Sequence, residues 1–405
     1  MSAQGPTLEP TAAAAAEPRR LRIAVLNRNF TPTGGGAERY SIALVEKLAQ
    51  QHEMHVFAQH IAHDIPGVTF HRIAQPFQRP RWLNQLWFAF ASWRRTRSEF
   101  DVVHSHEMTW WGDVQTIHVL PVRYALFLGR KGWARVLRWV KVATSPRLLT
   151  YLCLERARFK VGAKRRIIIP SETLRSIMLQ TYPECGPRLF TITPGVTAVP
   201  GRAPPLQALE ARSALGLPRE GQCVLFVAND YRKKGLSVLL RAMQQLATGC
   251  YLAVVGNPQQ IPLMMGEVRQ CGLEDRVHFL GALRDVSPAY AAADCLAHPT
   301  QEDTFAMVVL EAMAHGLPVI VSAPQFCGIS ALLTDEHNAL ILPDPLNSNV
   351  LAIQLGRALG DSALKTRLSE GAVGFAMAHR WSVSAQQQDD LYQAIAAMAQ
   401  PKLPA

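Results

Sequence analysis

The run from His298 to Ser322, HPTQEDTFAMVVLEAMAHGLPVIVS, admits few folds. An apolar strand ends at His298, and a short polar loop closes on the acidic Asp303. A helix is expected to open over Thr304, Phe305, Ala306 and Met307 and to stop at His315-Gly316, where Leu317-Pro318 leads into a second strand. Strands alternating with helices in this way imply a parallel sheet wrapped by helices. The arrangement also has chemical content. Free N–H groups at a helix start, with the helix dipole behind them, suit a diphosphate. Glu311, two turns beyond Asp303, can accept two hydroxyl hydrogen bonds from a ribose. An acid just before the helix can touch a sugar beyond the phosphates. An ordinary surface helix explains Glu311 less well, because Val308, Val309, Leu310, Ala312 and Met313 surround it in sequence.

The same alternation runs through both halves. In the first, a strand at Arg22–Leu26 precedes a loop over Asn27–Gly36 and a helix from Ala37 to about Gln51, with further strands at Met54–Ala58 and up to His104. In the second, strands are expected at Cys223–Val227, Tyr251–Val255, Arg276–Leu280, Cys295–His298 and Pro318–Val321, with a helix over Gly235–Leu246. Between the halves lies TPGVTAVPGRAPP, residues 193–205, whose Pro and Gly content reads as a hinge. A chain of 405 residues favours two domains. The expected division is a disordered tail over 1–20, an N-terminal Rossmann-like domain over 21–195, a second over 196–380, and a terminal helix over 381–405. Ligand sites are then expected at the carboxyl ends of the strands.

Three further segments carry candidate chemistry. Thr33-Gly34-Gly35-Gly36-Ala37-Glu38-Arg39 places a glycine loop between the first strand and helix, where backbone can approach a ligand closely. Alone it is equally a tight turn, and it is not the G-x-G-x-x-G of a nicotinamide enzyme. Asn229-Asp230-Tyr231-Arg232-Lys233-Lys234-Gly235 sets three consecutive cations after a strand, suited to neutralising a diphosphate. Asp101-Val102-Val103-His104-Ser105-His106 is followed by Asp113 and by Val114-Gln115-Thr116-Ile117-His118. Three histidines and an acid raise the question of a metal, but their spacing is not that of a ligand set. No Asp-x-Asp occurs in the chain.

The segment from His298 to Ser322 resembles the E-x7-E signature of retaining, nucleotide-sugar-dependent glycosyltransferases of the GT-B fold, family 4, and within them the glucosyltransferases that extend the lipopolysaccharide core. The resemblance spans about Arg22 to Met398 and is strongest over 223–322. It implies an α/β GT-B architecture, two Rossmann-like domains with parallel sheets facing a cleft, and a terminal helix that packs back on the N-terminal, acceptor-binding domain. It implies that Gly35 and Gly36 lie against the donor, and that Arg232, Lys233 and Lys234, with the amides of Thr304 to Met307, hold the leaving diphosphate. Glu311 would hold the ribose. Asp303, or Glu302 beside it, fills the first acidic position and orients the sugar. His118 would approach the reacting centre and Asp113 would face the acceptor. The strand Arg276–Gly281 resembles the one preceding the family's base-binding loop, so backbone near Gly281 and Ala282 would meet the base. The implied activity is hexose transfer from a nucleotide sugar, UDP-linked by expectation, with retention and without a metal or other cofactor.

Charge placement bears on the partner. The net charge of +11 is unevenly placed: between Arg123 and Arg166 thirteen Lys or Arg face one acid, Glu155, a balance of +12, so the rest of the chain sums to about −1. Tyr124, Phe127, Trp133, Trp139, Tyr151 and Phe159 are interleaved with them, and Arg79–Arg97 repeats the theme with three tryptophans. Cations mixed with aromatics suit an anionic membrane interface. Nucleic acid is the rival partner for such a patch, but no helix-turn-helix, RRM or zinc signature supports it. A solvated basic face over buried aromatics is the plainer alternative. No apolar run reaches the ~20 residues of a membrane-spanning helix. Seven cysteines, an odd number without a CxxC pair, suit reduced thiols, and no secretory signal is expected in residues 1–20. The expected setting is therefore cytoplasmic and peripheral to the inner membrane face, with a lipopolysaccharide or other glycolipid acceptor. A nucleotide-sugar epimerase of the same fold and a catalytically decayed membrane scaffold are the alternative readings.

Overall fold

The computed structural model describes residues 19–32, 35–160, 162 and 164–398. Most of the expected N-terminal tail, Thr33 and Gly34 of the glycine loop, and 399–405 of the expected terminal helix lie outside the described residues.

Short runs rich in Val, Ile, Leu and Ala form the central strands, which are buried on both faces as a parallel sheet between helices demands. The first sheet has seven strands in the order Val68–Arg72, Glu53–Ala58, Arg22–Leu26, Val102–Ser105, Val114–Thr116, Arg166–Ile169, Leu189–Thr191. The second has six, in the order Val277–Gly281, Cys250–Gly256, Gln222–Ala228, Cys295–His298, Val319–Ser322, Leu340–Leu342. Every neighbouring pair is parallel. In both sheets the chain's first strand lies between its second and fourth, so each has a switch point where the crossovers reverse direction and leave a crevice at the carboxyl edge.

Three aspartates fix the opposite, amino edge. Asp101 Oδ2 accepts from the Arg22 amide at 2.8 Å, Asp113 Oδ2 from Val103 at 2.9 Å and Asp294 Oδ2 from Cys223 at 2.9 Å. Each carboxylate precedes its own strand and satisfies the amide of a neighbouring one, which would otherwise be an orphan donor.

The helix Trp381–Ala397 lies on the first domain. Trp381, Leu391, Tyr392 and Ile395 join the core formed with Tyr40, Leu44 and Met54. Buried His52 Nε2 meets Asp389 Oδ1 at 2.7 Å, and Tyr392 Oη meets His104 Nδ1 at 2.6 Å. The chain therefore passes between the domains twice, and the passages bond to each other. Val196 N donates to His379 O at 3.0 Å, and Trp381 N donates to Val196 O at 3.2 Å. A Cβ on Gly195 would lie 2.4 Å from the Arg380 carbonyl carbon, so only glycine permits this approach.

Candidate active site

The carboxyl edges of the two sheets face each other, and the contacts between domains are made there. Thr304 Oγ1 donates to His118 O at 2.8 Å, Ser171 Oγ to Thr304 O at 2.7 Å and Thr173 Oγ1 to Pro324 O at 3.0 Å. Gly36, at the start of helix Gly36–Leu48, faces the second domain so closely that a Cβ would stand 3.6 Å from Met307 Sδ. The glycine loop of one domain thus lies opposite the acidic loop of the other. Beside them opens a cleft of ≈ 1030 Å³, lined by Arg39, Asn229, Ala282, Tyr290, Met307 and Glu311 among others.

The helix expected from Thr304 begins instead at Met307 and runs to Ala314. The cause is Asp303. Its Oδ1 accepts from the amides of Phe305 at 3.2 Å and Ala306 at 2.8 Å, folding the loop into a turn before the helix. Ala306 then takes φ +73°, ψ +70°, a left-handed conformation rare outside glycine. Two of the four amides expected to face a diphosphate are therefore engaged by Asp303. Its other oxygen, Oδ2, accepts from Lys234 Nζ at 2.6 Å and lies 3.2 Å from His298 Nε2. Burial by itself raises the Asp303 carboxyl, but the His298 bond and the Lys234 charge outweigh it and hold the group well below the usual carboxylate range. Asp303 is thus ionised and fully bonded. Glu302 faces outward in an exposed pair with Lys233, Nζ to Oε1 2.6 Å.

The three consecutive cations do not converge. Lys234 alone turns into the site, where Nζ also donates to Glu302 O at 2.8 Å. Arg232 turns away to Glu267, 3.5 Å distant, on an exposed face. The turn that separates them closes on Gly235 at φ +87°, where a Cβ would lie 2.0 Å from Pro299 O.

Glu311 lies on the cleft wall with both oxygens engaged. Arg39 from the first domain reaches Oε1 at 2.8 Å, and Tyr290 Oη donates to Oε2 at 2.8 Å. Burial and the Glu311 charge push the Tyr290 hydroxyl far above its ordinary range, so it remains a donor.

His118 stands at the carboxyl end of its strand, as expected. Its ring stacks on His106, Nε2 to Nδ1 2.9 Å, and meets Tyr40 edge-on. Burial, with the Arg158 charge behind it, lowers its pKa to about 3. His104 falls to about 3 as well, chiefly through burial, while bonding Thr116 Oγ1 at 2.6 Å. These imidazoles are neutral hydrogen-bonding groups. Among the described residues no group of three or more His, Cys, Asp or Glu is placed to hold a metal ion.

Asp113 is not brought to the cleft. It belongs to the aspartates that fix the amino edge of the sheet, and its bond to Val103 places it at the start of the strand whose other end leads to His118. Residues that the sequence reading passed over are Arg39 as a partner of Glu311, Tyr290, His298 and Ser171. Arg39 and His298 stood inside motifs, but their partners follow only from the packing of loops. Tyr290, in a plain SPAYAA helix, left no signal.

Both halves of the chain are similar to known proteins. Residues 34–198 match the family described as Glycosyltransferase Family 4, and residues 208–373 the one described as Glycosyl transferases group 1. The D-inositol 3-phosphate glycosyltransferase of Xylanimonas cellulosilytica is 27% identical over 329 residues, 74% of this chain and 73% of that protein. The lipopolysaccharide glucosyltransferase WaaG of Escherichia coli (strain K12) is 27% identical over 236 residues, 56% and 61% of the two chains. The crystal structure of WaaG superposes with TM-score 0.77 at 23% identity, covering 91% of this chain and 99% of that one. Anabaena Alr3699/HepE in complex with UDP-glucose gives TM-score 0.74 at 18% identity, covering 93% and 100%.

Proposed function

Since the chain belongs to the GT-B glycosyltransferases of family 4 and group 1, we propose that it moves a hexose from a UDP-sugar to a glycolipid on a membrane surface, with retention at the anomeric carbon and without a metal. Glu311 carries this reading. It is a carboxylate on a buried helix, at the wall of a cleft of ≈ 1030 Å³, one helix from the expected base loop at Gly281 and Ala282. A solved neighbour of the same fold, HepE, is described in complex with UDP-glucose.

In this reading the ribose diol lies on Glu311, and the diphosphate lies between Gly36, the Met307 helix start and Lys234. The anomeric C1–O bond to the diphosphate breaks as the acceptor oxygen bonds to C1 on the same face. The acceptor's proton passes to the departing phosphate oxygen. A His118 held neutral down to about pH 3 is too weak a base to take that proton, so its role is a hydrogen bond to a sugar hydroxyl. Lys234 and the helix start stabilise the charge that develops on the leaving group. Asp303 acts by holding Lys234 and the turn in place.

The acceptor class is read from helix Gly132–Ala143, GWARVLRWVKVA, of which Val142 alone is buried. Trp133 is 78% exposed and Leu137 65%, with Val136, Trp139 and Val140 also open, among Arg135, Arg138 and Lys141. An apolar stripe flanked by cations suits the interface of an anionic membrane. Among the described residues no helix is long and apolar enough to cross one. Lipopolysaccharide core is the glycolipid we favour, because WaaG is a lipopolysaccharide glucosyltransferase. The D-inositol 3-phosphate glycosyltransferases among the relatives favour a second reading, a small phosphorylated acceptor in solution. Turnover of UDP-hexoses by the full chain on truncated lipopolysaccharide in anionic vesicles, and separately on inositol phosphate, tests the proposal. Transfer to the glycolipid with the α-anomer kept supports it. Transfer to inositol phosphate alone supports the second reading, and cleavage of no nucleotide sugar with either acceptor overturns both.

A further inference from the structure

Arg39 reaches the carboxylate to which the proposed function assigns the ribose. Its Nη1 lies 2.8 Å from Glu311 Oε1, on the cleft side, while Tyr290 holds Oε2 from within the same domain as Glu311. Arg39 and Glu311 both line the cleft, and they come from opposite walls. The bond therefore spans the gap between domains. A second observation shows that this arrangement leaves a donor unused. Arg39 Nε is buried and has no hydrogen-bond partner, which costs free energy for a cationic group. From these contacts we infer that Arg39 is a specificity-determining residue: it occupies the ribose-binding face of Glu311 when the cleft is empty, and only a ligand with a ribose diol displaces it. The inference rests on the reading of Glu311 as the ribose carboxylate. A nucleotide lacking the diol cannot replace the charged Arg39 contact that the carboxylate would lose. Arg39 thus sets how strongly the site distinguishes a diol from its absence, acting through Glu311.

The test is the ratio of affinities for uridine diphosphate and 2′,3′-dideoxyuridine diphosphate, measured by calorimetry on the full chain. Both probes carry the same base and diphosphate, so any contact Arg39 makes to phosphate cancels. The wild type prefers the diol. In Arg39→Ala the preference grows by about tenfold, because the competing charged hydrogen bond is gone. Arg39→Gln, which retains polar bulk, gives a smaller gain and guards against a folding defect in the first variant. In the Glu311→Gln background, Arg39→Ala changes the ratio no further. An unchanged or smaller ratio in Arg39→Ala, with a diol preference intact in the wild type, overturns the role of Arg39 and leaves Glu311 as the ribose partner. Absence of any diol preference in the wild type overturns both.

Discussion

Replacing Asp303 by Asn removes one charge and tests whether this side chain builds the site. Four donors end on its carboxylate: the amides of Phe305 and Ala306 on Oδ1, Lys234 Nζ and His298 Nε2 on Oδ2. An asparagine carbonyl can keep the two amides. Its NH2 group then faces Lys234, where the hydrogen bond becomes a donor–donor contact, and His298, whose ring must change tautomer to accept. Hydrogen bonds to charged groups are each worth roughly 1.5–3 kcal/mol, and an uncompensated buried charge costs about 3–5 kcal/mol. Lys234 is partly exposed and keeps Glu302 O, which lowers the estimate to about 3 kcal/mol. Urea unfolding at pH 7, followed by circular dichroism, reads this as a lower midpoint with an unchanged slope. The linkage has a defined sign. The folded carboxyl is held below its unfolded value, so its contribution is present above about pH 4 and disappears as pH falls further. The wild-type and variant curves therefore converge in acid. A loss under about 0.5 kcal/mol at pH 7 would refute the claim that Asp303 fixes the turn.

Gly235→Ala places a Cβ against Pro299 O at φ +87° and is expected to cost at least about 2 kcal/mol, with a lower Tm and weaker nucleotide binding as Lys234 shifts. His104, lowered to about 3 chiefly by burial, makes stability fall as pH drops from 6.5 towards 3, by about 2 kcal/mol at pH 5; His104→Gln should flatten that slope in urea titrations, and an unchanged slope counts against the buried neutral ring. Trp133→Ser should weaken flotation with anionic vesicles by roughly tenfold, and added salt should weaken it further; binding that ignores both would point to a solvated basic face instead.

Period and punctuation in the sequence carried the sheet-forming runs well. Cys295–His298 was anticipated to the residue, and Arg22–Leu26 likewise, because each is an unbroken apolar run between loop signals. The helix after Asp303 was placed three residues early. Thr304, Phe305 and Ala306 look permissive for a helix, but a carboxylate that takes two amides ahead of it overrides local propensity. Cation pairing was the least legible part. Arg232, Lys233 and Lys234 are adjacent in sequence, yet a tight turn sends neighbouring side chains in different directions, and long-range partners such as Glu267 decide where each one ends. Asp113 shows the converse. An acid near a histidine strand reads as chemistry, whereas the structure uses it for a strand amide, as it uses Asp101 and Asp294.

The most direct measurement is a crystal structure of the chain with a UDP-hexose bound. The expected result is a ribose diol within hydrogen-bond distance of Glu311 with Arg39 displaced, and a diphosphate between Gly36, Lys234 and the Met307 amide. A donor seated elsewhere, with the Arg39–Glu311 pair still closed at the 2.8 Å found here, would contradict it.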